Sequence, residues 1–190
     1  TQFWRSRHNA YRGDGAFGQY TIVMPDQDAV IAITSQTSNM QGQLDLIYEH
    51  LLPAMQGKSL PANPQSAAAL KTKLAALSLP PLPAQKTSPM AAKVSGKTFK
   101  VEDNALNIQT VGFDFGKDSG TLTFKDANGT YPITVGLGKW KEGVTSLPGT
   151  PPNLVVTKVR NITSAPVAAS GTWKDDSTFE MIWRYIESPH

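Results

Sequence analysis

Three glycines within six positions, Gly13, Gly15 and Gly18, followed by an apolar run that stops at Met24-Pro25, constrain this chain more than any other feature. Glycine allows bends and close backbone approaches that other residues resist. Pro25-Asp26-Gln27-Asp28 has the composition of a turn. The pattern therefore predicts a strand over Phe3–Asn9, a Gly-rich bend over 13–18, a second strand over Tyr20–Met24 and a third over Ala29–Ser35. The last two are joined as a hairpin. Ser38 or Asn39 can then cap a helix. Leu44, Ile47, Tyr48, Leu51, Leu52 and Met55 place one apolar face on that helix, and Gly57 is expected to end it.

The next stretch, residues 57–92, changes character. Pro61, Pro64, Pro80, Pro81, Pro83 and Pro89 punctuate an Ala/Ser/Lys-rich linker. Asn63-Pro64 suits a helix start, Leu70, Leu74 and Leu77 line one side of a short helix, and Pro80-Pro81 ends it. Residues 78–91 are expected to be extended, partly as polyproline II.

Residues 93–190 read as all β. Leu122 and Phe124 alternate with Thr121, Thr123 and Lys125, and Phe179, Met181, Trp183 and Tyr185 alternate with Glu180 and Arg184. Ile182 and Ile186 make that last strand apolar on both faces, so it is expected to be central in its sheet or covered. Turns are predicted at 117–120, 126–129 and 174–177. Short strands at near-regular spacing predict an antiparallel barrel or sandwich.

Charge and composition exclude several classes. No apolar run approaches the ~18 residues of a membrane span, and the absence of cysteine removes thiolate metal sites and a Cys nucleophile. A cysteine-free chain suits an oxidising compartment. Residues 1–56 carry three Arg against five acids, residues 57–100 seven Lys and no acid, and residues 101–190 eight bases against ten acids. The basic excess is thus confined to the linker region, without aromatic residues interleaved as a nucleic-acid surface requires. Weak steering towards an anionic envelope surface is compatible with it.

From Asn9 to about Met55 the order of motifs resembles the C-terminal end of the catalytic domain in class C β-lactamases and their relatives, the D-Ala-D-Ala peptidases and esterases of the penicillin-binding-protein type. Tyr11-Arg12-Gly13 falls at that family's Lys/His-Thr/x-Gly motif, Gly15–Tyr20 at its Gly-rich segment, and Val23-Met24-Pro25-Asp26 at its hairpin. Val30–Ser35 falls at its next strand and Gln41–Gln56 at its terminal helix. Tyr11 departs from the family's Lys or His. The resemblance implies an α+β, mostly β chain in two parts. Residues 1–56 would be the last strands and helix of a transpeptidase-like sheet. Residues 93–190 would be an antiparallel, lipocalin-like β-barrel appendage, whose likeness rests on Ser170–Asp176 and the strand through Trp183 to Pro189. Thr1-Gln2-Phe3-Trp4 already reads as strand, so the start is expected to cut through a fold.

The resemblance also implies roles. Tyr11, Arg12 and Gly13 would bind substrate: the phenol by hydrogen bonding, Arg12 by gripping a carboxylate, and Gly13 by letting substrate backbone approach. Read without the family, the glycines need only permit a bulge and turn, with Arg12 solvated. The family's nucleophile lies in Ser-x-x-Lys and its base in Tyr-x-Asn. Neither pattern occurs in these 190 residues, so no catalytic residue is assigned and the chain alone is expected to be inactive. The expected setting is a periplasmic or otherwise exported serine hydrolase with a small-molecule or peptide substrate, no cofactor, no metal and no nucleic acid. Open strand edges in residues 1–56 would favour pairing into a dimer. The alternative is a non-catalytic β-barrel that binds a small apolar or cell-envelope ligand.

Other candidates read more plainly. His8 lies near Arg7 and Tyr11, as an ordinary strand residue or facing substrate. Asp26/Asp28 and Asp175-Asp176 lie at turns, where Asp bonds backbone. Trp140, Trp173 and Trp183 are expected in the core, or else as an aromatic platform for a ligand. His50 and His190 suggest no metal site.

Overall fold

The computed structural model describes residues 3–83, 85, 87–148 and 164–186. The chain is mixed α and β and mostly sheet, and it divides into two compact units that meet between Ser78 and Leu79.

The first unit is a four-stranded antiparallel sheet in sequence order: β1 (Phe3–Arg5), β2 (Tyr11–Gly15), β3 (Gln19–Met24) and β4 (Ala29–Ile33). The expected strand over Phe3–Asn9 is instead half of a hairpin. His8 and Asn9 both take positive φ, 60° and 53°, and the Ala10 N–H bonds the Arg7 carbonyl at 3.4 Å. Two such residues form the tight turn whose twist matches paired strands, and Asn suits its second position. The Gly-rich bend is correspondingly narrower than 13–18, because Gly13 to Gly15 belong to β2 and only Ala16–Gly18 turn, as a 3-10 turn. Pro25–Gln27 is a second 3-10 turn closed by Asp28 in the left-handed region, which makes the expected β3–β4 hairpin.

Asn39 caps α1 (Met40–Leu46), its carboxamide oxygen accepting the Gly42 N–H at 3.0 Å. The helix then widens into a π turn over Ile47–Leu51 and tightens to 3-10 over Leu52–Ala54, with Pro53 inside that last turn. It is therefore shorter than expected and stops before Gly57. Tyr20, Ile22 and Met24 of β3 bury with Leu44 and Ile47. Burial of this kind is worth about 1.5–3 kcal/mol per large side chain. α2 (Pro64–Ala75) begins where Asn63-Pro64 predicts, with Asn63 Oδ1 accepting the Ser66 N–H.

The second unit contains α3 (Pro89–Val94) and seven strands: β5 (Lys97–Lys100), β6 (Thr110–Phe115), β7 (Ser119–Lys125), β8 (Thr130–Leu137), β9 (Lys141–Thr145), β10 (Ala165–Trp173) and β11 (Phe179–Tyr185). They form one sheet in the order β11-β10-β8-β7-β6-β5, with β9 also on β10. The three expected turns fall between β6 and β7, β7 and β8, and β10 and β11. Asp175 Oδ1 accepts the backbone N–H of Ser177 and Thr178 and the Ser177 hydroxyl. These bonds, led by the Ser177 N–H, hold its carboxyl at about 2. One junction departs from the antiparallel expectation. Ser170 and Gly171 pair parallel to Gly136 and Leu137, while the first half of β10 pairs antiparallel to β9.

The sheet curls strongly. β6 and β11 are four positions apart, ~19 Å in a flat sheet at ~4.8 Å per strand. Yet Phe115 and Phe179 lie edge to face with centroids 4.9 Å apart, and Phe124 meets Trp183 at 5.8 Å. The register places Phe113, Phe115, Leu122, Ile133 and Phe179 on that one concave face. Among the described residues no pairing joins β5 to β11, so the path is open as described. The end of the terminal strand towards Pro189 lies outside the described residues, as does His190.

Residues 79–83, 85, 87 and 88 carry no regular structure before α3 replaces the last part of the expected extended stretch. They are tied to β10. The Leu82 N–H donates to Ser170 Oγ and the Gln85 N–H to Thr172 Oγ1, each at 3.1 Å. The Trp173 N–H donates to the Gln85 carbonyl and Ser88 Oγ to the Asp176 carbonyl. This strap explains why Ser170 and Thr172, polar residues on the convex face, are buried: buried hydroxyls need partners.

A Cβ on Gly171 would lie 2.4 Å from Phe179 Cζ and 2.9 Å from Val135 Cγ2. Gly171→Ala should therefore lower the urea unfolding free energy by about 1–3 kcal/mol, as overpacking of a filled core does. Unchanged unfolding would show that the ring moves aside freely.

Candidate functional site

The motif strand β2 sits between β1 and β3, and strand periodicity sorts its side chains. Tyr11 lies opposite Arg5 and Val23, and Gly13 opposite Phe3 and Thr21. Arg12 lies opposite Trp4 and Ile22, on the other face. Opposite residues in a ladder share a face. Tyr11, Gly13, Phe3, Thr21 and Val30 thus belong to the face that α1 does not cover. Tyr11 is 42% exposed, and its ring meets Phe3 edge to face at 6.2 Å.

Arg12 grips a carboxylate, as its fork geometry suits, and that carboxylate is Asp14. Nη2 donates to Oδ2 at 3.1 Å, Nε lies 2.8 Å from Oδ1, and Nη1 donates to Ser6 Oγ. Asp14 follows Arg12 by two positions, so the strand period places both on one face. Tyr20, opposite Asp14, donates its hydroxyl to the Met40 carbonyl at 3.1 Å. Burial first, then the Asp14 charge, push its phenol up, with Arg12 opposing. The structure therefore brings Tyr11 and Gly13 together and places the Arg12 guanidinium on the opposite side of the sheet.

β1 pairs β2 at Tyr11, Arg12 and Gly13. Beyond them, Asp14 and Gly15 have no partner on that edge among the described residues. Backbone N–H and C=O groups left unpaired on a strand edge can accept another strand.

The turn at the end of that edge is fixed from behind. Phe17 and Gly18 both have positive φ, 63° and 82°. Ser35 Oγ donates towards the carbonyls of Phe17 and Gly18 at 2.8 and 2.7 Å, and the Thr37 N–H donates to the Phe17 carbonyl at 3.1 Å. The Gln19 carboxamide brackets the Ser35 backbone, its Nε2 donating to the carbonyl and its Oε1 accepting the N–H. Sequence reasoning assigned Ser35 and Gln19 no role. Their signal was only that polar residues stand at the ends of apolar strands.

The remaining candidates have structural positions. His8 lies in the β1–β2 turn, its ring 5.0 Å from Tyr48, and the Arg7 guanidinium lies 5.1 Å above that Tyr48 ring while pairing with Asp45 at 2.9 Å. Asp26 accepts from Asn9 Nδ2 at 2.8 Å. Trp140 Nε1 donates to the Leu79 carbonyl, and Trp173 is buried against Phe115 and Phe179. Among the described residues no group of three His, Asp or Glu side chains is placed to hold a metal ion, and no helix is long and apolar enough to cross a membrane.

No protein-family model, curated protein or solved structure matches the chain.

A Cβ on Gly18 would stand 2.1 Å from Gln43 Oε1 and 2.6 Å from Ser35 Oγ, on a backbone that L-residues resist. Gly18→Ala should cost about 2 kcal/mol or more of unfolding free energy. Tyr11→Phe, which keeps the ring on Phe3, should stay within about 0.5 kcal/mol. Equal effects in chemical denaturation would contradict this division between a fixed turn and a free face.

Proposed function

We propose that residues 3–56 form one wall of the active site of an acyl-transferring serine hydrolase of the class C β-lactamase and penicillin-binding-protein type. The nucleophile, in Ser-x-x-Lys, would be carried outside these 190 residues. The carrying observation is the arrangement of β2. Its Tyr11-Arg12-Gly13 run stands in a sheet backed on one face by the following helix, and among the described residues Asp14 and Gly15 have no partner on the β1 side, beside a braced Gly-rich turn. In this reading substrate lies along that edge, Tyr11 presents a hydroxyl, and Gly13 leaves room for backbone. Arg12 acts at one remove, by holding Asp14 and the strand. A backbone N–H on this edge would face the oxyanion of the acyl intermediate, where preorganised donors contribute most. The setting is an exported enzyme with a small amide, ester or peptide substrate. Pairing of two copies through the β1 or β4 edges belongs to the same reading.

Nitrocefin and p-nitrophenyl acetate assays on this chain alone should show no turnover. A chain extended upstream through Ser-x-x-Lys should hydrolyse one of them and lose roughly 10³-fold or more on Ser→Ala at that serine. Turnover by these residues alone, or an inert extended chain, would refute the proposal.

A second reading concerns residues 93–190: a lipocalin-like barrel whose concave face takes a small apolar ligand. The curled sheet and its unbroken run of rings, Phe99, Phe113, Phe115 and Phe179, favour it, and Phe99 is 40% exposed at one end. Titrating the chain with palmitate should then shift its tryptophan fluorescence saturably, a shift that Trp183→Phe should reduce and Phe113→Ser should abolish. A flat titration would sink this reading and leave the hydrolase proposal untouched.

A further inference from the structure

Every residue from Gln56 to Pro80 is exposed, α2 included. A twelve-residue helix in water is marginal even with favourable residues, and helices in proteins draw most of their stability from packing an apolar face. α2 has such a face. At ~100° per residue, Leu70 and Leu74 lie about 40° apart on it, and Leu77 follows just past its end. The turn continues as far as Leu77, whose N–H bonds the Leu74 carbonyl at 3.3 Å. These leucines are 58%, 56% and 68% exposed, and Leu60 upstream is 71% exposed. Lys73 borders the stripe on one side and Lys71 on the other, while Ala68, Ala69, Thr72 and Ala75 occupy the back.

Charge decides between occupants. Residues 57–79 contain Lys58, Lys71 and Lys73 and no acid, so two copies meeting through this segment would set lysines against lysines with no carboxylate of the segment to offset them. A groove on a protein partner is typically gripped by large anchors, aromatic above all, and residues 57–79 contain no aromatic side chain. An anionic bilayer surface suits both features. Leucines enter the boundary between headgroups and acyl chains, and lysines on either side extend their stems and leave the ammonium at the phosphates. We propose that α2, with Leu60 ahead of it, is a peripheral docking element for an anionic lipid surface. The inference is independent of the hydrolase reading.

Co-sedimentation of the full chain tests it. Vesicles of equal parts phosphatidylcholine and phosphatidylglycerol should pellet the protein at ~0.1 M salt, and should release most of it at ~1 M, where screening shortens to about 3 Å. Phosphatidylcholine alone should not pellet it. Lys71→Glu with Lys73→Glu should weaken binding on the order of 10-fold or more, and Leu70→Ser with Leu74→Ser should abolish it. Because all four positions are exposed, the β-sheet circular dichroism of these variants should match the parent, while added vesicles should raise the parent's helical signal. No pelleting with pure phosphatidylglycerol vesicles, or equal pelleting by the leucine variant, overturns the proposal. So does a concentration-dependent dimer in lipid-free buffer that the leucine variant loses, which would make a second copy the occupant.

Discussion

A sheet with one apolar face must remove that face from water, and the two sheets of this chain do so in different ways. The four-stranded sheet is too narrow to close on itself, so α1 and its π and 3-10 continuation lie over Tyr20, Ile22 and Met24. The larger sheet has enough strands to curl, and its apolar residues meet each other: Phe115 touches Phe179 and Trp173, and Phe124 touches Trp183. Curling also dictates side-chain size. Where rings converge, the strand between them carries Ala169 and Gly171, because a larger residue at Gly171 would collide with Phe179.

Faces were legible in the sequence because they follow from a period of two. The alternation in Leu122–Phe124 and in Phe179–Tyr185 correctly assigned their inner sides, and Pro25–Asp28, Asp126–Gly129 and Lys174–Ser177 marked three turns. Neighbours across long sequence separations were not legible. Nothing local says that Ser170 lies parallel to Gly136, or that the Leu82 backbone reaches Ser170. The hairpin at His8-Asn9 is not legible because its turn lacks glycine, although Asn tolerates the left-handed region. The helix ended early because Pro53 closed its last turn, whereas the apolar spacing of Leu51, Leu52 and Met55 suggested continuation.

The same period governs the candidate site. Tyr11, Arg12 and Gly13 are adjacent in sequence and read as one motif, but adjacent strand residues face opposite ways. Tyr11 and Gly13 therefore share the uncovered face with Phe3. Arg12 joins Asp14 and Ser6 across from Trp4 and Ile22. An arginine held by Asp14 of its own strand and by Ser6 stiffens the strand, and the exposed face keeps the Arg5 cation beside hydroxyl, backbone and aromatic groups.

Rigidity at the Asp14–Gly15 end of β2 follows from the same covering helix. The Ala16–Gly18 turn cannot relax without breaking the Ser35 and Thr37 bonds to its carbonyls. Those residues lead directly into Asn39, which caps α1, and the Met40 carbonyl accepts the Tyr20 hydroxyl. Turn, loop and helix start are therefore one hydrogen-bonded unit, and the helix that keeps the sheet's apolar face dry also fixes the edge at Asp14–Gly15. The backbone groups at that end of β2 therefore hold positions that the fold has already set.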